Sequence, residues 1–123
     1  EHYGFDIEDA CNAILIKSKK PQEFFAMFCV LGSSRLDVNH KAKAAINSKK
    51  VSFASKEEAE DVTLQIYGGI SPLGLPVDIE IFVDKKVLNR EKVFIGAGNR
   101  VSKFFLSPKT LVKLTNATVL DLT

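Results

Sequence analysis

Branched aliphatic and aromatic residues along this chain fall in short runs separated by polar turns, the pattern of a fold built from many brief strands. Ala13 to Lys17 (AILIK) and Glu23 to Leu31 (EFFAMFCVL) flank Ser18-Lys19-Lys20-Pro21, which predicts an antiparallel hairpin. The second run is apolar without alternation, so its strand is expected in the middle of a sheet, buried on both faces. After Gly32-Ser33-Ser34 the spacing of Leu36, Val38, Ala42, Ala45 and Ile46 becomes helical, with Asp37 or Ser34 as cap.

Lys50 to Ala54 reads as a short strand. Ser55-Lys56-Glu57-Glu58 is a capping box that opens a helix to about Val62, and Leu64 to Tyr67 reads as briefly extended. Further strands are expected at Asp78 to Val83, Lys92 to Ile95, Val101 to Leu106 and Ala117 to Leu122. A short helical piece lies around Lys85 to Asn89, and Ser107-Pro108 starts a helix to about Leu114. Upstream, Asp6 is placed to cap a short helix over Phe5 to Ala10. About seven strands with three or four short helices, out of strict alternation, make the class α+β, with a mixed sheet expected to be strongly curved or barrel-like.

At 123 residues the chain is the size of one domain, 1–123, and 46% hydrophobic content is too apolar for disorder. The longest apolar run, Phe24 to Leu31, is eight residues, well short of the roughly 20 needed to span a bilayer, so no membrane partner is expected. Cys11 and Cys29 sit in apolar contexts without Cys/His clustering. Disulfides, zinc and other cofactors are therefore not indicated, and a reducing, cytoplasmic location is expected. The start at Glu1, with no signal-peptide pattern, reads as a domain taken from a longer chain. The net charge of +2 hides an uneven distribution. Between Lys17 and Lys50 lie eight basic residues (Lys17, Lys19, Lys20, Arg35, Lys41, Lys43, Lys49, Lys50) against Glu23 and Asp37, a net +6 suited to a phosphate backbone or simply to a solvated face.

Familiar catalytic constellations are missing. The histidines are His2 and His40 alone, there is no G-x-S-x-G elbow, and Gly96-Ala97-Gly98 lacks the rest of a dinucleotide fingerprint. What stands out is Gly68-Gly69-Ile70-Ser71-Pro72-Leu73-Gly74-Leu75-Pro76. Its glycines permit close backbone approach to a ligand and its prolines stiffen the path, although a plain connection between strands would look the same. The loop Gly96 to Arg100 has the same two readings. The cysteines read as core residues, His40 as solvated, and the phenylalanines of the second strand as core rather than as a base-stacking platform.

The GGISPLG stretch resembles the G-x-x-x-P loop of the YbaK family, the editing domains associated with prolyl-tRNA synthetase. Arg35-Leu36-Asp37, Lys49 to Ala54, Asp84, Ile95 to Arg100, Ser102-Lys103 and the Ser107 to Leu114 helix are similar to family features in the same order, from about Asp9 to Leu122. The resemblance implies a barrel-like mixed sheet and hydrolysis of the ester of mischarged tRNA, without a cofactor. It further implies that Gly68 to Pro72 fixes the aminoacyl end at the terminal adenosine. Members carry a lysine at the start of the first hairpin strand, where this chain has Asn12. It thus resembles a subgroup in which asparagine accompanies a Ser-Lys pair such as Ser102-Lys103. On that resemblance Asn12, Gly68 and Lys103 are the expected catalytic residues, with Lys103 supplying the missing cation. Gly69, Ile70, Ser71, Pro72, Gly96, Gly98 and Arg100 would line the substrate site, and Lys19, Lys20, Arg35, Lys41 and Lys43 would hold tRNA. An aminoacyl-tRNA synthetase is the implied partner. A non-catalytic tRNA-binding or protein-docking domain of the same fold is the alternative that Asn12 raises.

Overall fold

The computed structural model describes residues 9–98 and 103–123. In it the two aliphatic runs form the expected hairpin. β1 (Cys11–Lys20) and β2 (Phe24–Leu31) pair antiparallel with Cys11 opposite Leu31 and Ser18 opposite Phe24. Ser18 to Lys20, expected as turn, continue β1. The reason is tertiary: Ser18 is fully buried, its hydroxyl donating to Gln22 O and lying 2.8 Å from Ser48 Oγ, and Lys20 pairs with Lys50 of β3 (Lys50–Phe53).

The main sheet has the order β3-β1-β2-β4-β7, where β4 is Glu80–Asp84 and β7 is Thr118–Leu120. β1 runs antiparallel to both its neighbours, whereas β2 with β4 and β4 with β7 are parallel. As its unbroken apolar character predicts, β2 is the central strand. Ala26, Phe28 and Val30 face one side and Met27, Cys29 and Leu31 the other, all buried. On the first face the ring of Phe28 stacks on Phe82, 5.0 Å between centroids, beneath Leu36, Ala42, Ile46 and Leu122. On the second, Val83, Val87, Val93, Ile95 and Leu111 pack on Cys11, Cys29 and Leu31, and Ala59 packs on Leu15 and Met27.

The sheet is not the strongly curved, barrel-like one expected. Its edges, β3 and β7, are four and three residues long, too few to carry a ladder round to closure. β5 (Val93–Gly96) and β6 (Lys103–Leu106) form a separate antiparallel pair, which an isolated bridge from Phe94 joins to Ala10, the residue before β1. This split leaves room beside β1.

Asp37 caps the turn after β2 by accepting from His40 N–H. The first part of that segment, Val38–Ala42, is a π-helical turn that runs into α1 (Lys43–Ala45). α2 (Lys56–Thr63) has the full capping box between Ser55 and Glu58, and α3 (Pro108–Thr115) starts on Ser107 as predicted. A 3-10 segment covers Lys85–Asn89. Leu64 to Tyr67 is not extended: Leu64 closes α2 in the left-handed region at φ 57, because the Leu64 N–H turns back to Glu60 O. Of the expected helix over Phe5 to Ala10, only Asp9 and Ala10 lie within the described residues, and Ala10 makes the bridge to β5. No helix among the described residues is long and apolar enough to cross a membrane.

Candidate functional site

Where β3 and β5 diverge from β1 a cleft of about 350 Å³ opens. Its floor is Ala10 to Leu15, six consecutive residues. Side chains of one strand alternate between faces, so an unbroken run can line a cleft only if the strand is seen edge-on. The walls are Phe53, Ala54 and Ala59 on one side and Phe94, Ile95, Gly96 and Lys103 on the other, with Tyr67 to Ile70 above.

The Gly68 loop is held there by bonds that local sequence does not reveal. Gln65 makes a two-point clasp on Ser71: its Oε1 accepts from Ser71 N–H at 2.6 Å and its Nε2 donates to Ser71 O at 3.0 Å. Glu60 Oε2 accepts from Tyr67 N–H and Thr63 Oγ1 from Gln65 N–H, so the end of α2 organises the loop's entry. On the far side Gly98 N–H donates to Gly69 O at 2.8 Å and Ile66 N–H to Gly98 O at 2.9 Å. These bonds pull β5 so close that a Cβ on Gly96 would lie 2.4 Å from Gly69 O. Glycine at 96 is therefore required by close approach. Gly68 adopts φ 94, which favours glycine there too.

Of the sequence-derived candidates, Asn12, Gly68, Gly69, Ile70, Gly96 and Lys103 share this cleft, although up to 91 positions separate them along the chain. Asn12 and Lys103 are both exposed, and neither side chain has a hydrogen bond or ion pair among the described residues. Ser71 and Pro72 are buried behind the loop, and Ser71 and Gly98 line a second hollow of about 280 Å³ with Gln65 and Phe104. Arg100 lies outside the described residues. The basic segment is divided. Lys19 and Lys20 lie at the far end of β1, about 23 Å from Asn12 at the usual rise per residue, beside Lys49 and Lys50. Arg35 follows β2 at the Asn12 end. Lys41 is engaged with Asp121 Oδ2 at 3.0 Å and Thr123 O, and Lys43 is half-buried on α1.

Cys11 is on the cleft floor but only 5% exposed. A hydrogen bond with Cys11 together with burial pushes the Cys29 thiol well above its usual pKa, so Cys29 is packed and protonated rather than nucleophilic. Among the described residues no cluster of His, Cys, Asp or Glu could hold a metal. The sequence reading missed Gln65, whose clasp depends on a fold-dependent encounter. It also missed Phe53 and Tyr67, 61% and 47% exposed at the cleft.

A sequence profile of the family described as "Aminoacyl-tRNA editing domain" matches residues 1–114. A protein of Enterococcus faecalis (strain ATCC 700802 / V583), named as a Cys-tRNA(Pro)/Cys-tRNA(Cys) deacylase, EbsC, is 29% identical over 92 residues, 75% of this chain. The chain spans 56% of that relative's length. The crystal structure of a trans-editing enzyme for prolyl tRNA synthetase superposes with a TM-score of 0.89 at 26% identity, covering 99% of this chain and 74% of that one. A second, of hypothetical protein APE2540, gives 0.83 at 27% identity over 98% and 78%. With nearly its whole length matched in sequence and in fold, the chain belongs to the aminoacyl-tRNA editing domain family.

Proposed function

We propose that this domain, 1–123, is an aminoacyl-tRNA deacylase that takes the charged 3′ end of a mischarged tRNA into the cleft beside β1 and hydrolyses its ester. The observation that carries the reading is the convergence of Asn12, the Gly68 to Ile70 backbone and Lys103 on one cleft whose described lining has no serine or threonine hydroxyl and no exposed thiol. Water is then the attacking group. It adds to the acyl carbon, and charge gathers on the carbonyl oxygen. The bond to the ribose oxygen breaks, and that oxygen takes a proton, leaving a free amino acid and uncharged tRNA.

Each group has a part in this. The Gly68 and Ile70 N–H groups have no acceptor among the described residues and are free to donate to the ribose hydroxyl and acyl oxygen. Lys103 supplies positive charge near the developing oxyanion, and Asn12 orients the ester through its amide. The substrate's own ribose hydroxyl or thiol can help to position the water. Gly69 and Gly96 set the loop's height, and Ser71, Pro72 and Gly98 brace it from behind; Arg100 completes the proposed substrate-binding set. Lys19, Lys20, Arg35 and Lys43 provide positive charge for the acceptor stem, while Lys41 is committed to the C-terminal segment. A synthetase is the natural partner for such an activity, and the cytoplasm its setting. The test is a panel of mischarged tRNAs scored for release of free amino acid. Release from at least one is expected. Binding of tRNA without release from any would replace this reading with that of a non-catalytic tRNA-binding domain.

A further inference from the structure

The edge of β1 that floors the cleft is bare around Ala13. Ala10 O accepts from Gly32 N–H at 2.8 Å, which fixes even-numbered residues of β1 as those whose N–H and C=O point at β2. Odd-numbered residues therefore point the other way. Leu15 O is taken by Ala54 N–H at 3.0 Å, and beyond Ser55 the chain turns into α2. At the opposite end the Ala10 to Phe94 bridge brings in β5, which then diverges. Ala13, between these two contacts, is left with both its N–H and its C=O directed into the cleft, and neither has a partner among the described residues.

We propose that this vacant position is the binding site for the amino-acid moiety of the substrate, held as a one-residue strand. A residue opposite Ala13 in an antiparallel narrow pair offers one donor from its nitrogen and one acceptor from its carbonyl. The aminoacyl ester has this pair: its α-ammonium donates to Ala13 O, and its acyl oxygen accepts from Ala13 N–H. Docked in this way the ligand prolongs β3 after a gap. Its nitrogen faces Ala54, which already occupies Leu15, and its ester faces Gly96 and Lys103. Two selections follow. An acyl group on the nitrogen would run into Ala54, so the α-amine must be free. The side chain lies on the Ala13 face, among Leu15, Ala59 and Ile70, and is restricted to small apolar groups.

The inference rests on the deacylase reading, and its test separates the two. The probes are 3′-alanylamino-3′-deoxyadenosine, in which an amide replaces the ester, and the same compound N-acetylated, each titrated into the 15N-labelled domain. The free-amine compound is expected to bind at least tenfold more tightly, the scale of one charge-assisted hydrogen bond, and to shift the Ala13 amide resonance strongly. Equal binding of both compounds, or an unmoved Ala13 resonance while Gly68 and Gly69 respond, overturns the inference alone if the mischarged-tRNA panel shows release. Binding of neither compound, with no release from the panel, overturns both.

Discussion

Replacing Gly96 with alanine tests whether the contact between β5 and the Gly68 loop sets the site. The new Cβ would sit 2.4 Å from Gly69 O, 2.7 Å from Gly69 C and 2.9 Å from Ile70 O, all backbone atoms that no rotamer change can move. Ordinary contact begins near 3.4 Å, so the strand and loop must separate by about 1 Å. A rigid shift of that size stretches the Gly98 N–H bond to Gly69 O from 2.8 Å to about 3.8 Å, beyond hydrogen-bond range. Overpacking costs about 1–3 kcal/mol and the lost bond about 1 kcal/mol more, which lowers the melting temperature by roughly 5–15 °C for a chain of this size. A displacement of 1 Å at a reacting centre costs on the order of 100-fold in rate. Single-turnover deacylation below the melting temperature, alongside thermal unfolding, reads both effects. As a control, Gly74→Ala strains a left-handed glycine at φ 66 but meets nothing within 4 Å, so it should lose some stability and keep its rate. Wild-type melting and rate in Gly96→Ala would refute the reasoning, as would an equal rate loss in Gly74→Ala.

Three further outcomes are expected. Gln65→Leu removes the two-point clasp on Ser71 while keeping the volume; it should cost about 1–3 kcal/mol in thermal unfolding and reduce deacylation more than tRNA binding. Lys103→Ala should lower the single-turnover rate about 100-fold, with Lys103→Arg recovering much of it, and unchanged rates in both would remove Lys103 from the chemistry. Glu58 is held down to about 2 by its hydrogen bond from Lys17 and by the Ser55 N–H. A carboxyl depressed in the folded state stabilises above its usual value near 4.5 and loses that contribution as pH falls towards 2. Glu58→Gln keeps a capping-box acceptor, so it should melt below wild type at pH 7 and with it near pH 2, and a constant gap across that range would contradict the assignment.

Local chemistry carried the elements that need only their own neighbours. The capping box at Ser55, the Ser107-Pro108 helix start and the apolar β2 run each contain their whole cause within a few residues, and all three stand as predicted. Ser18 to Lys20 looked like turn because their polarity is local, whereas their strand conformation comes from pairing with β3. The basic segment shows the same limit, since its net +6 is real but β1 carries Lys19 and Lys20 to one end of the sheet and leaves Arg35 at the other. Closure of the sheet was equally illegible, because it depends on whether three- and four-residue edges meet partners remote in sequence.

By itself, then, the sequence determined an α+β domain with a glycine loop of editing-domain character, since cap residues, apolar runs and loop glycines act over a few residues. Only the tertiary structure decided that β3 and β5 part company on either side of Ala13. Strand divergence is a balance of long-range contacts: Ala54 on Leu15, Phe94 beside Ala10, and Gly96 pressed on Gly69. That divergence turns a small alanine into an open main-chain edge and brings Asn12, Gly68 and Lys103 to a common cleft.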